Sequence, residues 1–258
     1  MKQSLKIGLF GLCIANIIFC EPNMTVYDIQ RLDEFARFAY SSKQTVYNSY
    51  LLAQECIQND IAGDFVECGV AAGAQVAAMA YASQKYNAKR AIYLFDSFEG
   101  IPLAGLEDDQ QPGIVGEITH DRNVAPEKLL VSSGITVWSL EKVINNIHNW
   151  GLHTETILAC KGWFEHTLPQ VADMISKISI LRLDGDLYSS TQVCLEYLYP
   201  KVSKGGYIII DDYALAGCKK AVDQYIQLHN LNPTIIPVEG GNGPVYWQID
   251  DTCTVHIH

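Results

Sequence analysis

Residues 64–100 read DFVECGVAAGAQVAAMAYASQKYNAKRAIYLFDSFEG, and this stretch decides the fold. An apolar run, Asp64 to Val70, meets glycines at 69 and 73. Helix-like sequence follows from Gln75 to Lys85, and a second apolar run, Ala91 to Asp96, ends on a carboxylate. Strand, glycine turn, helix, strand is the order of a parallel crossover unit. The two strands are near-continuous in apolar residues rather than alternating, which predicts a sheet covered on both faces.

Working outward, the alternation continues. Further strands are predicted at Thr156 to Cys160, Ile178 to Leu183, Tyr207 to Ile210, Thr234 to Val238 and Val245 to Ile249. Helices are predicted at Leu140 to Asn149, Leu168 to Ser176, Thr191 to Tyr199 and Gly217 to His229. Upstream, Val26, Ile29, Leu32, Phe35, Val46, Tyr50 and Ala53 repeat at helical spacing, giving two helices broken around Ser41 to Lys43. The reading is an α/β domain with a doubly wound, mostly parallel seven-stranded sheet and N-terminal helices. The chain divides into a signal-like or membrane-tether segment (1–20), a helical segment (21–62) that suits a dimer or lid element, and the main domain (63–258).

The 258 residues are 48% apolar and carry a formal charge of −11, with no Lys/Arg block, which excludes the basic face of a nucleic-acid binder. Lys2 and Lys6 precede an apolar run from Ile7 to Phe19, shorter than the roughly 20 residues needed to span a bilayer. That pattern suits a secretory leader cleaved near Cys20, or a retained tether through which alone the chain would touch a membrane. The eight cysteines form no CxxC pair or metal-ligand spacing, and several sit in apolar runs. They read as reduced and cytosolic rather than as a disulfide framework.

On such a sheet, ligands bind at the carboxyl ends of the strands. Glu67-Cys68-Gly69 ends the first strand, and Asp96-Ser97 the second. A carboxylate at the end of the second strand can accept hydrogen bonds from both hydroxyls of a ribose; a turn cap is the alternative for Asp96. A dinucleotide needs its pyrophosphate at the glycine turn, where Glu67 opposes it, and the third glycine of that fingerprint is missing. S-adenosylmethionine has no phosphate and carries cationic groups that an acidic site tolerates. The residues therefore favour the methyl donor over a nicotinamide cofactor.

Asp184 and Asp186 follow the fourth strand, and Asp211 and Asp212 the fifth. Four carboxylates at neighbouring strand ends repel one another, and a hard divalent cation such as Mg²⁺ relieves that. The alternative makes Asp186 a helix cap and Asp211 or Asp212 solvent-facing turn residues. If the chain stays extended, Asp184 and Asp186 point the same way. One would then hold the metal while the other takes the proton of an acceptor hydroxyl.

FVECGVAAG, LFDSFEGIP, KGWFEHTLP, LRLDGDLYSST, and IIIDDY followed by GCKKAVDQY resemble the macrocin O-methyltransferase family, over about residues 45–250. The resemblance implies a class I, Rossmann-like methyltransferase that uses S-adenosylmethionine and Mg²⁺ to methylate a sugar hydroxyl on a small molecule. It implies metal ligation by Asp184, Asp211 and Asp212, a base at Asp186, and cofactor contacts at Glu67, Cys68, Gly69, Asp96, Ser97, Gly162, Trp163 and Asp184. Ala71-Ala72 departs from the family pattern at the methionine end of the cofactor.

Trp163 and Phe164 would stack on adenine or serve as core aromatics. His120, His148, His153 and His166 have no metal-ligand spacing; His166, after Gly162-Trp163-Phe164, would serve as a surface or capping residue or else approach the cofactor, and His256 and His258 receive no role. The acidic stretch Glu99 to Asn123 reads as a lid over the acceptor. The export-like N-terminus supports a second hypothesis, a catalytically retired, tethered or exported binding homologue. An exported chain would lack its cytosolic donor, so either the segment is not cleaved or the chemistry has been lost; the intact Asp184, Asp186, Asp211 and Asp212 argue against the second hypothesis.

Overall fold

The computed structural model describes residues 24–108 and 128–255. The leader-like segment 1–20, residues 109–123 of the expected lid, His120, His256 and His258 lie outside the described residues.

Two helices come first, α1 (Val26–Ala36) and α2 (Lys43–Gln58). Thr25 and Asp28 start α1 as a reciprocal cap. The Asp28 amide donates to the Thr25 hydroxyl at 3.2 Å, and the Thr25 amide to the Asp28 carboxylate at 2.8 Å. The strands and helices then alternate as β1 (Asp64–Cys68), α3 (Ala74–Lys85), β2 (Ile92–Asp96), α4 (Leu140–Asn149), β3 (Ile157–Lys161), α5 (Phe164–Val171), β4 (Ile178–Leu183), α6 (Tyr188–Leu198), β5 (Val202–Ile210) and α7 (Ala216–Leu228). The short edge strand β6 (Ile236–Pro237) and β7 (Val245–Gln248) close the sheet.

The sheet order is β3-β2-β1-β4-β5-β7-β6. The first five strands are parallel, and β7 runs antiparallel to both β5 and β6. The direction of winding reverses between β1 and β4, the topological switch point, where a ligand crevice opens. Two apolar layers cover the sheet. Leu32 and Phe35 of α1, Val46 and Tyr50 of α2, Ala77 of α3 and Ile147 of α4 pack on one face with Phe65, Leu94 and Ile180. Leu168 of α5, Leu195 of α6 and Val222 of α7 pack on the other with Val66, Leu183 and Ile210.

The seven-stranded, mostly parallel sheet and its N-terminal helices are as the sequence predicts, and the differences lie at element ends. Strand β5 starts five residues before the expected Tyr207. Its first half, Ser203-Lys204-Gly205-Gly206, carries no apolar signal, and the pairing with β4 shifts between Ile178 and Ile180. Helix α5 begins at Phe164, not Leu168, and holds Pro169 inside it before a single 3-10 turn, Ala172–Met174. Helix α6 starts at Tyr188, three residues before the expected Thr191, because a distant carboxylate caps it. The Tyr188 amide donates to Asp108 Oδ1 at 3.0 Å. Strand β6 keeps only two residues of the expected Thr234 to Val238.

Candidate active site

A cavity of about 590 Å³ opens at the carboxyl ends of β1, β2, β4 and β5. Glu67, Gly69, Asp96, Ser97, Trp163, Asp184, Asp186, Asp211 and Asp212 all line it, so the structure gathers most of the predicted residues. Cys68 and Gly162 do not line it. The Cys68 side chain is buried in the apolar layer on the other face of the sheet, and its carbonyl accepts from the Asp184 amide at 2.8 Å. Gly162 gives its amide to the Asp96 carbonyl at 2.9 Å.

The glycine turn brings β1 and β4 together. Gly69 has φ +86°, and a Cβ there would fall 1.7 Å from the Asp184 carbonyl oxygen. Across the turn, Asp96 Oδ2 accepts from the Val70 amide at 2.7 Å and Oδ1 from the Phe98 amide at 2.6 Å. The turn-cap alternative for Asp96 is thus present in the geometry. Each carboxylate oxygen still has acceptor capacity toward the cavity. Burial raises the Asp96 carboxyl above its ordinary range, against those amides. The Ser97 hydroxyl is spent on the same turn, donating to the Gly100 carbonyl at 2.9 Å and accepting from the Glu99 amide at 3.0 Å.

The four aspartates meet. One oxygen from each of Asp184, Asp211 and Asp212 can lie within 4.8 Å of the other two, close enough to share a cation. Asp186 adjoins them through its amide, which donates to Asp212 Oδ2 at 2.9 Å. The expected extended geometry is not found. Asp186 has φ +58°, in the left-handed region, and the Leu187 amide donates back to the Gly185 carbonyl at 2.6 Å. A tight turn, rather than strand alternation, aims Asp186. Burial, then the charges of Asp184 and Asp211, raise Asp186 well above the ordinary carboxylate range. Burial and the neighbouring Asp186 do the same to Asp212. Asp211 is lifted to about 7, burial outweighing the nearby Arg182.

Trp163 precedes α5 at the cavity wall, while Phe164 both lines the cavity and packs in the core. His166 is exposed and stays away.

Other contributors were not anticipated. Arg182 is fully buried beneath the acids, with Nη1 2.8 Å from Asp184 Oδ2 and Nη2 2.5 Å from Asp211 Oδ1. An arginine inside an otherwise apolar parallel strand is the signal that could have found it. Gln75 ties the first turn of α3 to the first turn of α2 and the α1–α2 loop, donating to Thr45 at 2.9 Å and Ser41 at 3.2 Å. That loop, Phe38 to Ser42, forms part of the cavity wall. Asn242 and Pro244, before β7, supply the opposite rim.

A seven-stranded sheet of this order, with a glycine turn and an acidic end to β2 at its switch point, defines a class I methyltransferase. The profile of the family described as macrocin-O-methyltransferase (TylF) matches residues 36–249. The chain belongs to this family and is an S-adenosylmethionine-dependent O-methyltransferase. It is 36% identical over 197 residues to demethyldecarbamoylnovobiocin O-methyltransferase of Streptomyces niveus, covering 76% of this chain and 69% of the relative. It is 32% identical over 200 residues to 8-demethyl-8-(2,3-dimethoxy-alpha-L-rhamnosyl)-tetracenomycin-C 4'-O-methyltransferase of Streptomyces olivaceus, covering 76% and 70%. The solved structure of the O-methyltransferase NovP superposes with a TM-score of 0.66 at 34% identity, over 80% of each chain.

Proposed function

We propose that this enzyme methylates a hydroxyl of a sugar carried on a small molecule, with a divalent cation held by Asp184, Asp211 and Asp212 and with Asp186 as the base. The observation that carries this reading is the meeting of three carboxylate oxygens within 4.8 Å beside Asp186.

The residues fit both absent groups. Glu67 Oε2 is buried without a protein partner, while Glu67 also lines the cavity, so an ammonium group there would satisfy it. Among the described residues no Lys or Arg lines the cavity, which suits a cationic methyl donor. An all-carboxylate set suits Mg²⁺ or a similar hard cation. The donor supplies an electrophilic methyl group, and the cation lowers the pKa of a nearby hydroxyl.

The chain does the rest. Asp96 and the Gly69 turn hold the cofactor, and Trp163 bounds it. Asp186, whose proton affinity is raised, takes the acceptor's proton as the oxygen attacks. Alignment supplies most of the rate. A sugar acceptor is supported by the Streptomyces olivaceus relative, whose name gives it a rhamnosyl-bearing substrate.

We place the reaction in the cytosol, where the donor is made, with residues 1–20 retained. A mature N-terminus beginning after Cys20 would overturn that placement. Among the described residues all six cysteines are free, and no helix is long and apolar enough to cross a membrane.

Titration calorimetry of the full chain with S-adenosylmethionine, with and without Mg²⁺, tests the reading. Micromolar-range binding, followed by Mg²⁺-dependent methylation of sugar-bearing acceptors, is the expected result. Folded protein that binds no donor under either condition would instead favour the retired homologue.

A further inference from the structure

Arg182 is fully buried at the centre of the sheet, on β4, level with Glu67 of β1 and Ile209 of β5. Its guanidinium reaches two metal-site acids at once, Asp184 through Nη1 at 2.8 Å and Asp211 through Nη2 at 2.5 Å. Nη1 also lies 3.5 Å from Glu67 Oε1. The side chain lies under the cavity floor, not in its lining, so it meets neither cofactor nor acceptor. A buried cation facing three carboxylates is expensive to build, and apolar residues of like volume would serve stability as well. Two directed N–H bonds from one planar group are what an apolar residue or a lysine cannot supply.

We propose that Arg182 is a positioning residue for the cation site. Its fork takes one oxygen of Asp184 and one of Asp211, fixing both carboxylate planes so that their second oxygens and Asp212 face a common point. As the resident positive charge, it also holds those acids together before any divalent ion arrives. The inference rests on the metal reading above, and it assigns Arg182 an effect on cation affinity without one on the cofactor.

The test compares wild type with Arg182→Lys, which keeps the charge and loses the fork. Three quantities are read: Mn²⁺ affinity by electron paramagnetic resonance, S-adenosylhomocysteine affinity by calorimetry, and Tm. Wild type should bind Mn²⁺, and the variant should bind it roughly 10- to 100-fold more weakly, the range for losing a group that orients a metal ligand. S-adenosylhomocysteine affinity should stay within about threefold, since Glu67 and Asp96 remain. Arg182→Lys should cost less in an Asp211→Asn background than in wild type, because one of the two contacts of the fork is already altered there.

Equal Mn²⁺ affinity in wild type and variant overturns the role of Arg182 and leaves the metal reading standing. A wild type that binds no Mn²⁺ overturns both. A variant that loses cofactor and Mn²⁺ together, with a lower Tm, shows Arg182 to be a structural residue and overturns the proposal. If Arg182→Lys does not fold, Arg182→Gln, which loses both the charge and the fork and leaves Glu67 in place, is put to the same three readouts.

Discussion

Gly69→Ala should damage stability and the site together, for a reason specific to its place. The new Cβ would lie 1.7 Å from the Asp184 carbonyl oxygen and 2.7 Å from its carbonyl carbon. Both are backbone atoms of the segment leaving β4, so no side chain can swing aside. The ends of β1 and β4 must part by more than an ångström, against the Asp184 amide bond to the Cys68 carbonyl at 2.8 Å. Positive φ adds about 1–2 kcal/mol for a residue with a Cβ, and forced packing typically about 1–3 kcal/mol. Together they remove roughly 2–5 kcal/mol from a stability that is itself about 5–15 kcal/mol. At about 2–4 °C per kcal/mol, Tm should fall by roughly 4–20 °C. Displacing Asp184 and the glycine turn should weaken S-adenosylhomocysteine binding by roughly ten- to 100-fold. Gly151→Ala is the control. It has φ +70° and nothing within 4 Å of its Cβ, so it carries the dihedral cost alone, about 2–8 °C. Scanning calorimetry and titration of the two variants separate strain from collision. If Gly69→Ala loses no more Tm than Gly151→Ala and binds the product analogue like wild type, the close approach of β1 to β4 is not what the site depends on.

Asp186→Asn should abolish turnover while leaving S-adenosylmethionine binding close to wild type; a variant that turns over normally means Asp186 is not the base. Asp108→Ala removes the cap on α6 and should cost about 0.5–2 kcal/mol, with a drop in kcat because Asp186 lies just ahead of Tyr188. Asp108→Asn, which keeps an acceptor oxygen, should recover most of both, and equal damage from the two variants would refute the cap. Asp28 concerns stability alone. Burial would raise its carboxyl, but hydrogen bonds from Lys85, Thr25 and Tyr81 outweigh that and hold it at about 2, below its ordinary 3.8. A depressed folded value contributes stability above the unfolded pKa and loses it as pH falls from about 4 toward 2, here about 2 kcal/mol. In urea unfolding, the gap between wild type and Asp28→Asn should therefore narrow from pH 6 to pH 3, and a gap that does not change with pH would refute it.

The fold was legible because its signals are local. A mostly apolar run such as Ile178 to Leu183 and the spacing of Leu140 to Asn149 each need only their own residues, and both elements have the expected bounds. The acids were legible for the same reason, since a strand end is a place in the sequence. What stayed hidden depends on partners far along the chain. Asp108 caps a helix 80 residues away, and Arg182 spans 29 residues to Asp211. The left-handed turn at Asp186 has no glycine at that position to announce it. The first half of β5 is held by its neighbours rather than by its own hydropathy.

Strand parity explains why one side of the sheet carries the chemistry. On the face covered by α1 to α4, apolar positions turn polar at the carboxyl ends: Phe65 to Glu67, Leu94 to Asp96, Ile180 to Arg182, and Ile209 to Asp211. On the opposite face the alternate positions stay apolar to the end, with Cys68, Phe95, Leu183 and Ile210 all buried. Within the strands the buried charges are thus confined to one rim of one face, at or just beneath the cavity, while α5, α6 and α7 clamp the other face with apolar contact. Cofactor turn and acids share strands whose reverse side is close-packed, so their relative placement inherits the rigidity of the core. That division gives a site with many repelling carboxylates enough support to hold its geometry. It also means that a polar substitution at Leu183 or Ile210 should disturb the site from beneath without touching it.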